Sequence, residues 1–328
     1  MEKQNDMLLQ VKNLRVYYTA GGEIINAVNG VDLEVRRGET LGLVGETGAG
    51  KTTIAKSIMR ILPDPPAKIG GGEIYLDGQE LLHLPEKKMQ EIRGKKISMI
   101  FQDPMTALNP VFTVGEQIEE VIMLHEKVNR GEAAVKARQM LELVGIPGDR
   151  SGDYPHQFSG GMKQRVVIAM ALACSPELIL ADEPTTALDV TIQAQILDMI
   201  KALKEKQNTS MILITHDLGV VAEVCDRVAV VYAGEIIEYG TKEEIFDYPT
   251  HPYTVGLFGS IPKIHEDVEW LDSIPGMPPN PADLPSGCHF HPRCSKCTQP
   301  CGEKAPEMVE VRPGHFVRCL NCTEKKES

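Results

Sequence analysis

Residues 45–52 read GETGAGKT, a full match to the pattern G-x-x-x-x-G-K-[ST]. A short apolar run, TLGLV at 40–44, precedes it, and residues 53–61 behind it carry apolar side chains at helical spacing. A strand, a glycine-rich turn and a helix in that order leave few folds open. They point to an α/β sheet with a phosphate held at a helix N-terminus. Gly45, Gly48 and Gly50 let backbone N–H groups face the phosphates without a Cβ in the way. Lys51 is expected to reach the β- and γ-phosphates, and the Thr52 hydroxyl to bind Mg²⁺. The competing reading, a chance glycine-rich turn, does not account for the strand, the helix and an acidic partner downstream.

That partner is Asp182, which with Glu183 closes the apolar run LILA at 178–181. In open α/β sheets ligands collect at the carboxyl ends of strands. Asp182 is placed to hold Mg²⁺, and Glu183 to act as a base toward water. His216 follows the strand MILIT at 211–215 and can polarise the γ-phosphate or orient the attacking water; a lone His is otherwise a packed or solvated residue. Gln102 follows ISMIF at 97–101, and its amide oxygen can contact Mg²⁺ or that water. Further on, FSGGMKQR at 158–165 offers a second anion site. Ser159 can cap the helix, and Gly160 and Gly161 expose its first amides, although an ordinary capped helix fits equally well.

Alternating segments at 8–16 and 27–35, a strand at 73–76 before Asp77-Gly78, and apolar β-rich runs at 97–101, 178–180, 211–215 and 228–232 frame these sites. Helical spacing covers 115–144, with Gly145 as C-cap, and 162–174. Strands separated by helices predict a mainly parallel sheet covered by helices. No repeat of fixed period is evident. After about residue 251, Pro-Gly pairs multiply and periodicity fades, which reads as an irregular tail wrapped over a surface.

Charge and hydropathy narrow the class. The net charge of −12 makes nucleic acid a poor partner. The longest apolar run, residues 166–174, is far short of the ~20 residues that cross a bilayer. The first residues, MEKQNDM, lack the regions of a signal peptide, so a cytoplasmic location is expected, with any membrane link made through a partner.

Six of the eight cysteines fall between Cys288 and Cys322. In a reducing compartment this suggests metal before disulfides. The paired C-x₂-C units Cys294/Cys297 and Cys319/Cys322 suit zinc, and four thiolates at short spacings also suit an iron–sulfur cluster. The bland alternative is a set of thiols without metal, or a disulfide-stapled tail. Cys174 and Cys225, in apolar helical surroundings, are expected to be buried and inert.

GETGAGKT, FSGGMKQR, LILADEP, ALD and ITHD, in this order over roughly residues 8–250, resemble the nucleotide-binding subunit of an ABC transporter. The resemblance implies a P-loop NTPase fold: an α/β nucleotide-binding domain over 1–250, a helical subdomain at about 103–172, and an irregular Cys-rich extension over 251–328. It makes Gly45, Glu46, Thr47, Gly48, Ala49, Gly50, Lys51, Thr52 and Thr53 the Walker A contacts to ATP. Gln102 becomes the Q-loop glutamine, Ser159, Gly160 and Gly161 the signature, and Asp182 the Walker B aspartate. Glu183 is then the catalytic glutamate, Asp189 the D-loop aspartate, His216 the switch histidine, and Tyr18 the aromatic that stacks on adenine, with Tyr17 adjacent. Thr52, Gln102 and Asp182 are the implied Mg²⁺ contacts. The signature opens with Phe158 where Leu is commoner.

FQDPMTALNP, YPTHPYT and PGMPPNP…LPSGCHFHPRC narrow the resemblance to the dipeptide/oligopeptide importers and their nickel-importing relatives. That subfamily places cysteines at C-x₅-C-x₆-C-x₁₇-C, here Cys288, Cys294, Cys301 and Cys319, linked to a [4Fe-4S] cluster, with Cys297 and Cys322 extra to it. It also implies two membrane permease subunits, a second ATPase subunit of the same or a different kind in a head-to-tail dimer, an external solute-binding protein, and a position on the cytoplasmic face of the membrane. Residues 111–120 and the preceding DPMTALNP would lie near the permease coupling helix. The resulting expectation is an ATPase that powers peptide import. A soluble ABC protein with an iron–sulfur cluster acting on DNA or ribosomes, and a metal- or redox-sensing regulator, are the other classes open. The single nucleotide domain and acidic charge weigh against the former, and Glu183 with His216 against the latter.

Overall fold

The computed structural model describes residues 6–185, 189–259 and 274–322, and the chain divides into two compact units. One unit comprises residues 1–7, 35–40 and 83–214; the other comprises 8–34, 41–82 and 215–328.

The first unit is built on three parallel strands. β6 (Ile97–Ile100) pairs with β7 (Leu178–Asp182), with Ile97 opposite Leu178, and β7 pairs with β8 (Ser210–Ile214), with Leu178 opposite Ser210. All three strands are buried throughout, so they read as continuous apolar runs without alternation. Among the described residues, the α-helices of this unit are α2 (Glu86–Ile92), α3 (Pro104–Ala107), α4 (Val114–His125), α5 (Arg130–Leu143), α6 (Gly160–Leu172) and α7 (Val190–Gln207). The single helical stretch expected over 115–144 is two helices. Each starts at a full capping box, Thr113 with Glu116 and Asn129 with Glu132, so local capping sets the break. Gly145 lies two residues beyond the end of α5, just past the capping Val144, at φ +76, and its N–H donates to the Glu142 carbonyl.

In the second unit a four-stranded sheet has the order β2-β1-β4-β5, formed by β1 (Met7–Ala20), β2 (Glu23–Arg36), β4 (Ala67–Leu76) and β5 (Gln79–Glu80). β3 (Thr40–Val44) runs parallel to β9 (Arg227–Tyr232), and β10 (Glu235–Thr241) returns antiparallel to β9. Helix α1 (Lys51–Met59) follows β3; α8 (Leu218–Val224) and α9 (Lys242–Asp247) come before the C-terminal extension, which opens with α10 (Pro252–Gly259).

The extension is less irregular than its composition predicts. α11 (Gln299–Glu303) is followed by β11 (Val309–Arg312) and β12 (His315–Val317), a hairpin closed by Pro313 and Gly314, the latter at φ +75. β12 pairs with β10, Glu238 opposite Val317, so the tail extends the sheet. Alternation in VEVR and HFV around the Pro-Gly turn is the sequence signal for this hairpin, and it is too short to stand out against the prolines upstream.

Candidate functional site

The phosphate loop lies in the second unit, between β3 and α1. Gly50 precedes the helix at φ +102, and a Cβ there would sit on the Ala27 carbonyl oxygen; at Gly45 (φ +149) a Cβ would meet the Val231 carbonyl oxygen. Both positions therefore need glycine for conformation and for space. Lys51 is buried, and its Nζ donates to the carbonyls of Gly45 (2.7 Å) and Glu46 (2.9 Å), so its ammonium rests inside the loop. The Ala49 N–H donates back to the Glu46 carbonyl at 3.2 Å, which completes the compact bend. Thr47 and Gly48 line a cavity of ≈ 220 Å³ together with Tyr232, Gly234 and the prolines at 278, 279 and 281. Thr52 and Thr53 lie in the first turn of α1. The half-buried Tyr18 hydroxyl is 3.3 Å from Thr53 Oγ1, which places that tyrosine beside the helix that carries Lys51. Tyr17 instead lies against Gly70. The exposed His216 belongs to this unit too, next to Asp217, whose side chain caps α8 by accepting from the N–H groups of Gly219 and Val220.

The first unit holds the remaining candidates. Asp182 ends β7 almost wholly buried. Glu183, the next residue, sits at φ +47, an uncommon conformation for a non-glycine residue and one that marks functional sites. Its N–H donates to the Ile214 carbonyl at 2.8 Å, while its carboxylate accepts from Gln102 Nε2 at 2.8 Å. The structure thus joins two residues that lie on separate segments of the sequence. Ser159 caps α6, its hydroxyl accepting from the Met162 N–H, so Gly160 and Gly161 occupy the first helical turn as expected. Asp189 caps α7 by accepting from the Ile192 N–H at 3.0 Å; Ala187 and Leu188 of the ALD motif lie outside the described residues.

The four cysteines assigned to an iron–sulfur cluster come into one neighbourhood. Burial pushes the Cys288 thiol up to about 11, and the charges of Cys319, Cys301 and Cys294 add to that effect. Among the described residues no group of three or more His, Cys, Asp or Glu side chains is placed to hold a metal ion. The expected ligation by Cys288, Cys294, Cys301 and Cys319 is not shown by this arrangement. The Cys301 sulfur lies 3.3 Å from Thr298 Oγ1, and the Cys319 thiol is pulled down by its hydrogen bond with Cys322. Cys225 is buried as expected, whereas Cys174 is only half-buried, and desolvation raises its thiol to about 11.

Two residues that sequence reading passed over act on the phosphate loop. Arg293 forks onto the Glu46 carboxylate at 2.9 and 3.0 Å, and the Tyr253 hydroxyl accepts from the Glu46 N–H at 2.9 Å. Neither belongs to a phosphate-binding pattern, and only the repeated aromatic and basic residues of YPTHPYT and CHFHPRC hinted at a built contact.

The chain matches the family described as ABC transporter over residues 28–186 and the family described as oligopeptide/dipeptide transporter, C-terminal region, over residues 237–301. It is 52% identical to the oligopeptide transport ATP-binding protein OppD of Bacillus subtilis, over 95% of this chain and 88% of that one. The dipeptide transport ATP-binding protein DppD of the same organism is 50% identical over 96% of this chain and 94% of its own. OppD of Escherichia coli is 47% identical over 99% and 96%. Among solved structures, a dimeric ATP-binding cassette in a post-hydrolysis state with ADP and phosphate superimposes with a TM-score of 0.65 at 30% identity, covering 72% of this chain and 99% of that one.

Proposed function

The chain belongs to the ABC transporter family, in its oligopeptide/dipeptide branch, and from that membership we infer that it is the ATP-hydrolysing subunit that powers peptide import. The observation that carries this reading is the complete phosphate loop, with glycine required at Gly45 and Gly50 and Lys51 seated among its carbonyls.

The residue roles follow from the chemistry of phosphoryl transfer, which is mainly positioning and charge stabilisation. Backbone amides of residues 45–52 and the start of α1 receive the phosphates, and Lys51 leaves its carbonyl partners for the γ-phosphate. Mg²⁺ supplies charge neutralisation on the phosphate oxygens, with Thr52, Gln102 and Asp182 as its contacts. Glu183 orients and deprotonates the attacking water, and its hydrogen bond to Gln102 ties that base to the residue opening the helical segment. His216 steadies the γ-phosphate and Tyr18 stacks on adenine. Ser159, Gly160 and Gly161 serve the nucleotide held by a second ATPase subunit, since a capped helix start with exposed amides suits an anion. Asp189 lies at that same subunit junction.

Two permease subunits are the membrane partners of this reading, an external solute-binding protein delivers the cargo, and the chain itself sits peripherally on the cytoplasmic face. Among the described residues no helix is long and apolar enough to cross a membrane. Exposed Met105, Val111 and Phe112 fit a permease contact, because large apolar side chains left open on one segment mark an interaction site. The Cys288, Cys294, Cys301 and Cys319 set is read as the ligands of a [4Fe-4S] cluster, with zinc as the alternative. Its support is the spacing and the mutual proximity of the thiols. A brown, broadly absorbing anaerobic preparation agrees with iron–sulfur; a colourless one with stoichiometric zinc replaces it.

The test of the ATPase reading is turnover by the purified chain with MgATP. Lys51→Ala is expected to abolish it together with nucleotide affinity; undiminished binding and turnover in that variant would overturn the reading.

A further inference from the structure

Arg293 stands almost 250 residues from the phosphate loop in sequence and directly against it in the fold. Besides its two bonds to Glu46, its Nε donates to the Pro275 carbonyl at 2.9 Å and its Nη1 reaches the Tyr232 hydroxyl at 3.3 Å. Glu46 is held at every polar group: the carboxylate by Arg293, the N–H by the Tyr253 hydroxyl, the carbonyl by Lys51 Nζ. Tyr232, Tyr253 and Phe290 pack ring to ring behind this contact, with centroids 4.7–5.5 Å apart. The turn that carries Phe290 and Arg293 is bracketed by cysteines, since the His291 N–H donates to the Cys288 carbonyl and the Cys294 N–H to the His291 carbonyl.

A carboxylate at the second position of an anion-binding loop works against that loop's purpose, because it repels a triphosphate. A bidentate guanidinium cancels the charge and fixes the side chain, and removing one partner of a buried pair leaves the other uncompensated. We propose that Arg293 is a positioning residue through which the C-terminal extension neutralises Glu46 and sets the phosphate loop for ATP. The extension thereby becomes a working part of the nucleotide site and not only a tail tied to the domain. This rests on the reading of residues 45–52 as the ATP loop.

The experiment uses the full chain and measures MgATP affinity beside the unfolding temperature. Arg293→Met is expected to weaken ATP binding about tenfold, because an uncancelled carboxylate remains beside the phosphates. The double variant Arg293→Met/Glu46→Gln is expected to regain most of that affinity, which a purely structural role for Arg293 would not allow. If Arg293→Met binds ATP like the wild type, or if the double variant binds no better than Arg293→Met, the proposal is overturned. Should Arg293→Met not fold, Arg293→Gln takes its place, since it can still hydrogen-bond Glu46 without cancelling its charge; the same two outcomes decide. A wild-type chain without ATP affinity overturns the nucleotide reading itself, whereas ATP binding with an unaffected Arg293 variant overturns only the role given to Arg293.

Discussion

Glu183, the base of the proposed reading, is held in an uncommon backbone conformation by contacts on two sides. Its positive φ is tolerated because the N–H bond to Ile214 and the carboxylate bond to Gln102 hold it from both sides. Replacing it with Gln keeps the shape and the amide partner but removes the base. Turnover at saturating MgATP is expected to fall by about 10²–10⁴-fold while ATP still binds, a split that single-turnover kinetics with a binding assay would resolve. Gly50 makes a different demand. A Cβ there meets the Ala27 carbonyl and the backbone holds φ +102, so Gly50→Ala is expected to cost about 2 kcal/mol or more. Denaturant unfolding should register that loss together with weakened nucleotide binding.

At the scale of elements, α10 begins beside a buried histidine. His251 Nδ1 accepts from the Tyr253 N–H at 3.0 Å, and the backbone N–H of His251 donates to the Glu238 carboxylate at 2.9 Å. Burial lowers the ring to about 4, against an ordinary value near 6.5. The unfolded chain therefore takes up a proton below about pH 6.5 that the folded chain refuses until about pH 4, and stability present above pH 6.5 drains away through that window. The loss amounts to up to about 3 kcal/mol. Urea unfolding between pH 7 and pH 4 should reveal it, and His251→Asn, which offers an acceptor that does not titrate, should flatten that part of the profile. Strands β6 to β8 and the helices α4 and α6 were among the more legible elements, because the strands are short, largely apolar runs and the helices open at Thr113 and Ser159 caps. The loop at 45–52 was legible because its glycines answer to local backbone needs. Arg293, Tyr253 and the Gln102–Glu183 bond were not legible, since each is a long-range contact whose partner no local pattern specifies. The hairpin of β11 and β12 fell between these cases: its pattern is present, but its strands are only four and three residues long.

For the whole molecule, function depends on chains that this one must meet. Val111, Phe112 and Met105 are exposed on the segment after Gln102, where the proposed reading puts the permease contact. Charging that patch with Val111→Asp and Phe112→Asp is expected to release the chain from membranes while purified turnover remains measurable, as read by fractionation and an ATPase assay; retention on the membrane would place the contact elsewhere. The most direct test of the central claim is ATP-driven uptake of a labelled oligopeptide into vesicles that hold the permease subunits, the solute-binding protein and this chain. Uptake that requires ATP and disappears with Lys51→Ala is the expected result. Uptake that proceeds equally with Lys51→Ala, or ATP hydrolysis that never moves peptide, would contradict it.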